Sequence, residues 1–162
     1  MAKKQSAEKT NAMRKLDAMK IPFGEYTYES DGTLTGVEIA QMLGQNVDQV
    51  FKTLVTVGRT GEHYVFMIPV AEELDLKKAA KAVGEKSVEM VKSKELLGLT
   101  GYIHGGCSPI GMKKFFQTTV HETAILYETI IFSGGKTGYQ IELSLADLQK
   151  VIDLTTADVV KD

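Results

Sequence analysis

The sequence predicts a mixed α/β (α+β) protein: a curved, largely antiparallel mixed sheet or partial barrel with surrounding helices. Paired β-branched and aromatic runs carry much of this, "VFKTLVTV" with "HYVFMIPV" around "GRTGE", and "ETIIFS" with "YQIEL" around "GGKTG", the pattern of hairpins closed by glycine-bearing loops. Helical periodicity is interspersed among the strands without the strict strand–helix alternation of a doubly wound fold. The chain has 162 residues, 43% hydrophobic and 25% charged, which suits one domain over residues 1–162 with a core large enough to hold a pocket.

Each element has a local reason. Ala7, Met13, Leu16 and Met19 recur at helical spacing, with Ala12 beside them, predicting a helix over Ser6 to Met19. Pro22 blocks its continuation, Phe23, Tyr26 and Tyr28 favour a strand, and "SDG" turns the chain. Thr35 caps a short helix that runs through Leu43 and stops at Gly44. After the first hairpin, Asp75 opens "LDLKKAAKAVG", a helix ending at Gly84 with lysines on an exposed face. "SVEMV" reads as a short strand and Ser93 as the cap of one turn at "KELLG"; from Gly98 to Gly111 glycines break every periodicity. "TTV" and "ETIIFS" are strands, "YQIEL" completes the second hairpin, and Ser144 caps "LADLQKVI".

Composition excludes several function classes. A single cysteine permits no internal disulfide, and "MAKKQSAEKTNAMRKL" is polar where a secretion signal would be apolar, so a cytoplasmic protein is expected. Apolar runs fall well short of the roughly 20 residues that span a bilayer, so no membrane association is expected. A net charge of -2 supplies no global field for DNA, and none is expected as a partner. The local clusters Lys77, Lys78, Lys81 and Lys113, Lys114 leave room for a short single-stranded end. His63, His104 and His121 lack metal-ligand spacing, so neither metal nor cofactor is expected. Glu72 and Glu73 read as favourable charge near a helix N-terminus.

The chemistry gathers around "HGGCSPIGMKK". Cys107 is a nucleophile if His104 or a cation activates it, and otherwise a small buried hydrophobe. "SGGKTG" lacks the glycine spacing and following helix of a phosphate-binding loop; it reads as a hairpin turn whose Ser133, Gly134 and Gly135 N–H groups can face an anion. Lys52 interrupts the apolar row of Val50 and Leu54 in "VFKTL". Two readings stay open for it, a cleft lysine with an anionic task and an edge-strand lysine that discourages aggregation.

The motifs "KIPF", "YTY", "VFKTLV", "LDLKKAAKAVG", "VEM", "TGYIHGGCSPIGMKK" and "SGGKTGYQIEL" resemble, in order and over nearly the whole chain, the YbaK/EbsC family of aminoacyl-tRNA deacylases. The family is similar to the editing domain of bacterial prolyl-tRNA synthetases, and the resemblance implies that fold. It implies that Lys52 is the central functional lysine, facing a pocket for the 3′-terminal adenosine and its esterified amino acid. It maps the family's G-x-x-x-P loop onto Gly105 to Pro109, giving catalytic roles to Gly105, Ser108 and Pro109 with Lys52. Substrate-binding roles fall to Tyr28, Gly101, Tyr102, Gly106, Ser133, Gly134, Gly135 and Gln140, with Lys136 in the second glycine-rich turn. Relatives commonly carry an aliphatic residue at the position of Cys107, which favours the loop's main chain over its thiol.

The resemblance further implies a free-standing trans-editing enzyme acting on the aminoacyl-tRNA acceptor end, with cysteine on tRNA(Pro) as substrate and prolyl-tRNA synthetase as partner. It implies a substrate-assisted route in which the bound cysteine's thiol attacks its own ester carbonyl. One departure stands out: cysteine-deacylating relatives tend to be acidic where this chain has Gln140, with Glu142 two residues on along the same strand face. Alanine or proline therefore remain alternative amino acids, and a non-catalytic nucleotide or aminoacyl-adenosine binding module remains the alternative class.

Overall fold

The computed structural model describes residues 9–162. Ser6 and Ala7, the start expected for the first helix, lie outside the described residues. Within them α1 (Asn11–Ala18) is capped by Thr10, whose hydroxyl accepts from the Met13 N–H at 3.1 Å, and it buries Ala12, Met13 and Leu16. The strand β1 (Gly24–Thr27) follows Pro22, and α2 (Gly36–Met42) opens on a full capping box between Thr35 and Glu38.

The first hairpin is β2 (Phe51–Gly58) with β3 (His63–Pro69), antiparallel from Phe51 opposite Pro69 to Val57 opposite His63. Asp75 caps α3 (Leu76–Val83) by accepting from the N–H groups of Lys77 and Lys78, and Gly84 ends it in the left-handed conformation. After β4 (Val88–Met90) comes α4 (Ser93–Thr100), which differs from the sequence expectation in two ways. Lys92, not Ser93, holds the cap position, without a side-chain cap bond, and the helix runs on through Gly98. Gly98 faces open space, while Leu96 and Thr100 bury the opposite face and the Thr100 hydroxyl donates to the Leu96 carbonyl at 2.8 Å. Packing thus overrides the propensity of one glycine.

The remaining elements are β5 (Gln117–His121), β6 (Ile130–Ser133), β7 (Tyr139–Leu143), α5 (Leu145–Val151, capped by Ser144) and β8 (Leu154–Ala157). The sequence reading omits β8, a four-residue strand whose two threonines face solvent.

The strands form a five-stranded sheet in the order β4-β2-β3-β5-β8 and a three-stranded sheet in the order β1-β7-β6. The β2/β3, β2/β4, β1/β7 and β6/β7 ladders are antiparallel; β3/β5 and β5/β8 are parallel, as suits strands joined by long connections carrying helices. The sheets touch where β2 begins, through a parallel bridge between Val50 and Ile131, so the barrel stays partial. Hydrophobic burial fixes this arrangement. Ala12, Met13 and Leu16 of α1 pack with Phe51, Met67, Ile130, Phe132 and Ile141 in one core spanning both sheets. The alternate residues of β3, Phe66 and Ile68, pack on the other side against Ala79 and Ala80 of α3. Lys78 ties the carboxyl-terminal segment down, donating to Asp158 at 3.0 Å and to Asp162 and the Val160 carbonyl at 2.8 Å.

Candidate active site

A cavity of about 430 Å³ is lined by residues of both sheets: β2 on one side, Phe132, Ser133 and Gln140 on the other, with α2, the start of α4 and the loop after α4 closing it. That volume suits a nucleoside-sized ligand. β2 is not an edge strand, since β3 and β4 flank it and Val50 meets β6. Lys52 lines the cavity on an interior strand, so the edge-strand reading does not hold.

Among the described residues Lys52 makes no ion pair within 4.0 Å. Burial holds its ammonium below the ordinary lysine value, and the charges of Glu73 and Glu72 offset this in part from a distance. Glu73 itself pairs with Lys161 at 3.0 Å. Glu72 and Glu73 precede the first turn of α3, and from there they also act as longer-range counter-charge to Lys52.

Of the residues named from the sequence, Tyr28, Lys52, Gly105, Ser133 and Gln140 line the cavity. Gly101, Tyr102, Gly106, Ser108, Pro109, Gly134 and Gly135 are not among the residues that line it. Ser108 is fully buried, and its Oγ accepts from the Ile110 N–H at 3.3 Å, tying off a local turn beside buried Pro109. Gly101 is the left-handed end of α4. Tyr102 is a buried strut: its hydroxyl donates to the Ile110 carbonyl at 2.5 Å, and its ring lies where a side chain on Gly135 would stand, with a Cβ there only 3.0 Å from Cε1.

The two glycine-rich segments are packed backbone to backbone. A Cβ on Gly106 would stand 3.2 Å from the Thr137 nitrogen and 3.3 Å from the Lys136 Cα, so only glycine allows this approach. Gly105 holds φ at 87° at the cavity wall, and Gly134 closes the β6/β7 turn by donating to the Tyr139 carbonyl at 2.8 Å. The loop is anchored to α1 as well, where Asn11 Nδ2 donates to the Gly111 carbonyl at 3.0 Å.

Cys107 is buried on the cavity wall, and burial pushes its thiol up to about 11, offset in part by the Thr100 hydroxyl. A thiol with that pKa is protonated at neutral pH and a poor nucleophile. Gln140, 6% exposed, accepts from Gln45 Nε2 at 2.7 Å. Glu142 is occupied by the hydroxyls of Tyr26, at 2.6 Å, and Thr129. Among the described residues no cluster of histidine, cysteine and carboxylate side chains could hold a metal ion. No described helix is long and apolar enough to cross a membrane.

Sequence reasoning missed the apolar lining from Leu34, Ile39 and Val70, and also Gln45, which reaches Gln140 from the far end of α2. Leu34 and Ile39 were visible as apolar residues flanking the Thr35 cap; nothing local to Gln45 signals its partner.

Lys52 and the glycine-rich loop line one cavity of an open, two-sheet α/β scaffold, and that scaffold is shared with a solved editing structure. A solved structure described as a candidate trans-editing enzyme for prolyl tRNA synthetase superposes with a TM-score of 0.83 at 25% identity, over 94% of this chain and 96% of that one. The chain belongs to the aminoacyl-tRNA editing domain family, whose model matches residues 31–151. It is 52% identical over 145 residues to a candidate Cys-tRNA(Pro)/Cys-tRNA(Cys) deacylase, EbsC, of Enterococcus faecalis, covering 89% of this chain and 88% of the relative. It also shares 31% identity over 77 residues with the proline–tRNA ligase of Pelobacter propionicus, covering 48% of this chain and 13% of that enzyme.

Proposed function

We propose that this protein is a free-standing deacylase that removes a mischarged amino acid, cysteine foremost, from the acceptor end of tRNA(Pro). The observation that carries it is the convergence of Lys52, Gly105, Ser133 and Gln140 on one cavity of nucleoside size, in a chain 52% identical to EbsC. In this reading the cavity takes the terminal adenosine and its ester, and Tyr28 flanks the site. Lys52 supplies positive charge in a partly desolvated place, where it acts more strongly than in water on a carbonyl oxygen gaining negative charge. Gly105 brings main chain against the ester. Ser108, Pro109, Tyr102, Gly101, Gly106, Gly134 and Gly135 hold that main chain and the Ser133 turn in place.

Cleavage needs a nucleophile, and Cys107 is disqualified by its raised pKa. The substrate's own thiol fills the role: a C–S bond forms at the ester carbonyl, the C–O bond to the ribose breaks, and the thiol proton ends on the released hydroxyl. The products are a cyclic thiolactone and uncharged tRNA. The protein then works by positioning and electrostatics. The second reading, a deacylase for alanine or proline, is favoured by the uncharged Gln140, at a position where the resemblance implies a tendency to an acidic residue in cysteine-deacylating relatives. Prolyl-tRNA synthetase is the proposed partner that presents the tRNA.

Single-turnover incubation with Cys-tRNA(Pro), Ala-tRNA(Pro) and Pro-tRNA(Pro) tests this. Loss of the cysteine ester, slowed by about a hundredfold or more in Lys52→Ala, is the expected result. Stability of all three esters alongside tight binding of adenosine analogues would leave a non-catalytic binding module instead.

A further inference from the structure

Gln140 sits within the three-stranded sheet, opposite Tyr26 of β1 and Ser133 of β6, and lines the cavity. A carboxamide is planar, with its carbonyl and its NH₂ on opposite arms. The carbonyl arm of Gln140 is engaged by Gln45 Nε2 at 2.7 Å. Its Nε2 has no acceptor among the described residues and is not one of the fully occluded polar atoms. The arm left to the ligand is therefore the donor.

The cost of this arrangement falls on the Gln45 Oε1, which is occluded without a donor among the described residues. Turning both amides over would put an NH₂ with two unpaired N–H groups in that place. Orphaned buried N–H groups are rarer than under-satisfied carbonyls, so the observed direction is the cheaper one.

Among the described residues no aspartate or glutamate lines the cavity. The titratable groups that do are Lys52 from β2, Tyr28 after β1, and His104 and Cys107 from the loop after α4. Glu72 and Glu73 act on Lys52 from outside the wall, and Glu142 is held by Tyr26 and Thr129. An ammonium group brought in beside Lys52 would find no carboxylate among the described lining residues, whereas a neutral amine can accept from Gln140 Nε2.

We propose that Gln45 is a positioning residue that holds the Gln140 carboxamide with its N–H groups toward the cavity, so that the aminoacyl ester is bound with its α-amine unprotonated. This rests on the acceptor-end reading given above.

Two non-hydrolysable probes test it: 3′-deoxy-3′-(alanylamino)adenosine and its desamino counterpart, 3′-deoxy-3′-(propanoylamino)adenosine, each titrated calorimetrically at pH 6.5 and 8.5. With an α-amine pKa of about 7.7–8.0, the neutral fraction rises more than tenfold across that interval, and the apparent Kd of the alanyl probe tightens by about tenfold. The propanoyl probe shares every protein titration, and its Kd should change by less than about twofold. In Gln45→Glu the new carboxylate accepts from Gln140 Nε2 and turns its carbonyl to the cavity, and the alanyl dependence should fall below about threefold. Gln45→Met, which has no N–H donor, should weaken the dependence too and guards against misfolding of the first variant.

An alanyl probe bound equally well at both pH values overturns the proposal, as does a propanoyl probe with the same tenfold dependence. Full dependence in both Gln45 variants overturns the role of Gln45. Failure of both probes to bind at both pH values overturns the acceptor-end reading itself, and this inference with it.

Discussion

Gly106→Ala isolates the contact between the two glycine-rich segments. Gly106 is not in the left-handed region, so alanine strains no torsion there and the effect is one of contact alone. The added Cβ meets the Thr137 nitrogen at 3.2 Å, the Lys136 Cα at 3.3 Å and the Lys136 carbonyl carbon at 3.4 Å. All three are backbone atoms that cannot rotate away. Favourable separations are about 3.5–4.0 Å, so the segments must part by about 0.3–0.5 Å, at a cost of about 1–2 kcal/mol. For a chain of this size that lowers Tm by roughly 3–6 °C. Gly105 and Ser133 lie next along these segments and line the cavity. A misplacement of 1 Å costs about a hundredfold in rate, so scaling the logarithm to the smaller shift gives about a fourfold to tenfold loss in kcat. Single-turnover deacylation of Cys-tRNA(Pro), with thermal melting alongside, reads both numbers. A full rate in a variant whose Tm has fallen would refute the claim that this apposition sets the geometry of the site.

Two further outcomes follow from the same loop. Cys107→Ser should deacylate at the wild-type rate, and alkylation of Cys107 at pH 8 should be about a hundredfold slower than for an ordinary cysteine. Because burial pushes the thiol up to about 11, labelling should rise steadily with pH toward that value; rapid labelling at pH 7 would contradict the burial argument. Tyr102→Phe removes the donor to the Ile110 carbonyl and should cost about 1–3 kcal/mol in urea denaturation, and an unchanged midpoint would show the strut to be dispensable.

Much of the fold was legible because local chemistry and tertiary packing agree. Thr35, Asp75 and Ser144 cap the helices their side chains announce, and the glycines of "GRTGE" and "GGKTG" close the hairpins. The misses have physical causes. Gly98 suggested a break, yet it sits on the open face of a helix whose other side is buried, and β8 is held by parallel pairing with β5, a long-range partner that no local pattern reveals. In the site, Lys52 was conspicuous as one charge in an apolar strand, and the glycine-rich loop as a loss of periodicity. The hydrogen bond from Gln45 to Gln140 spans 95 positions, so it became visible only once α2 was set against the small sheet.

The meeting of Gly106 with Lys136 and Thr137 also bears on how this surface can change over generations. Two stretches distant along the chain share one narrow gap, so bulk accepted by one must be matched by retreat of the other. Substitutions harmful singly can then become tolerable in combination, and a library that randomises both stretches together should recover active variants that scanning either alone would discard.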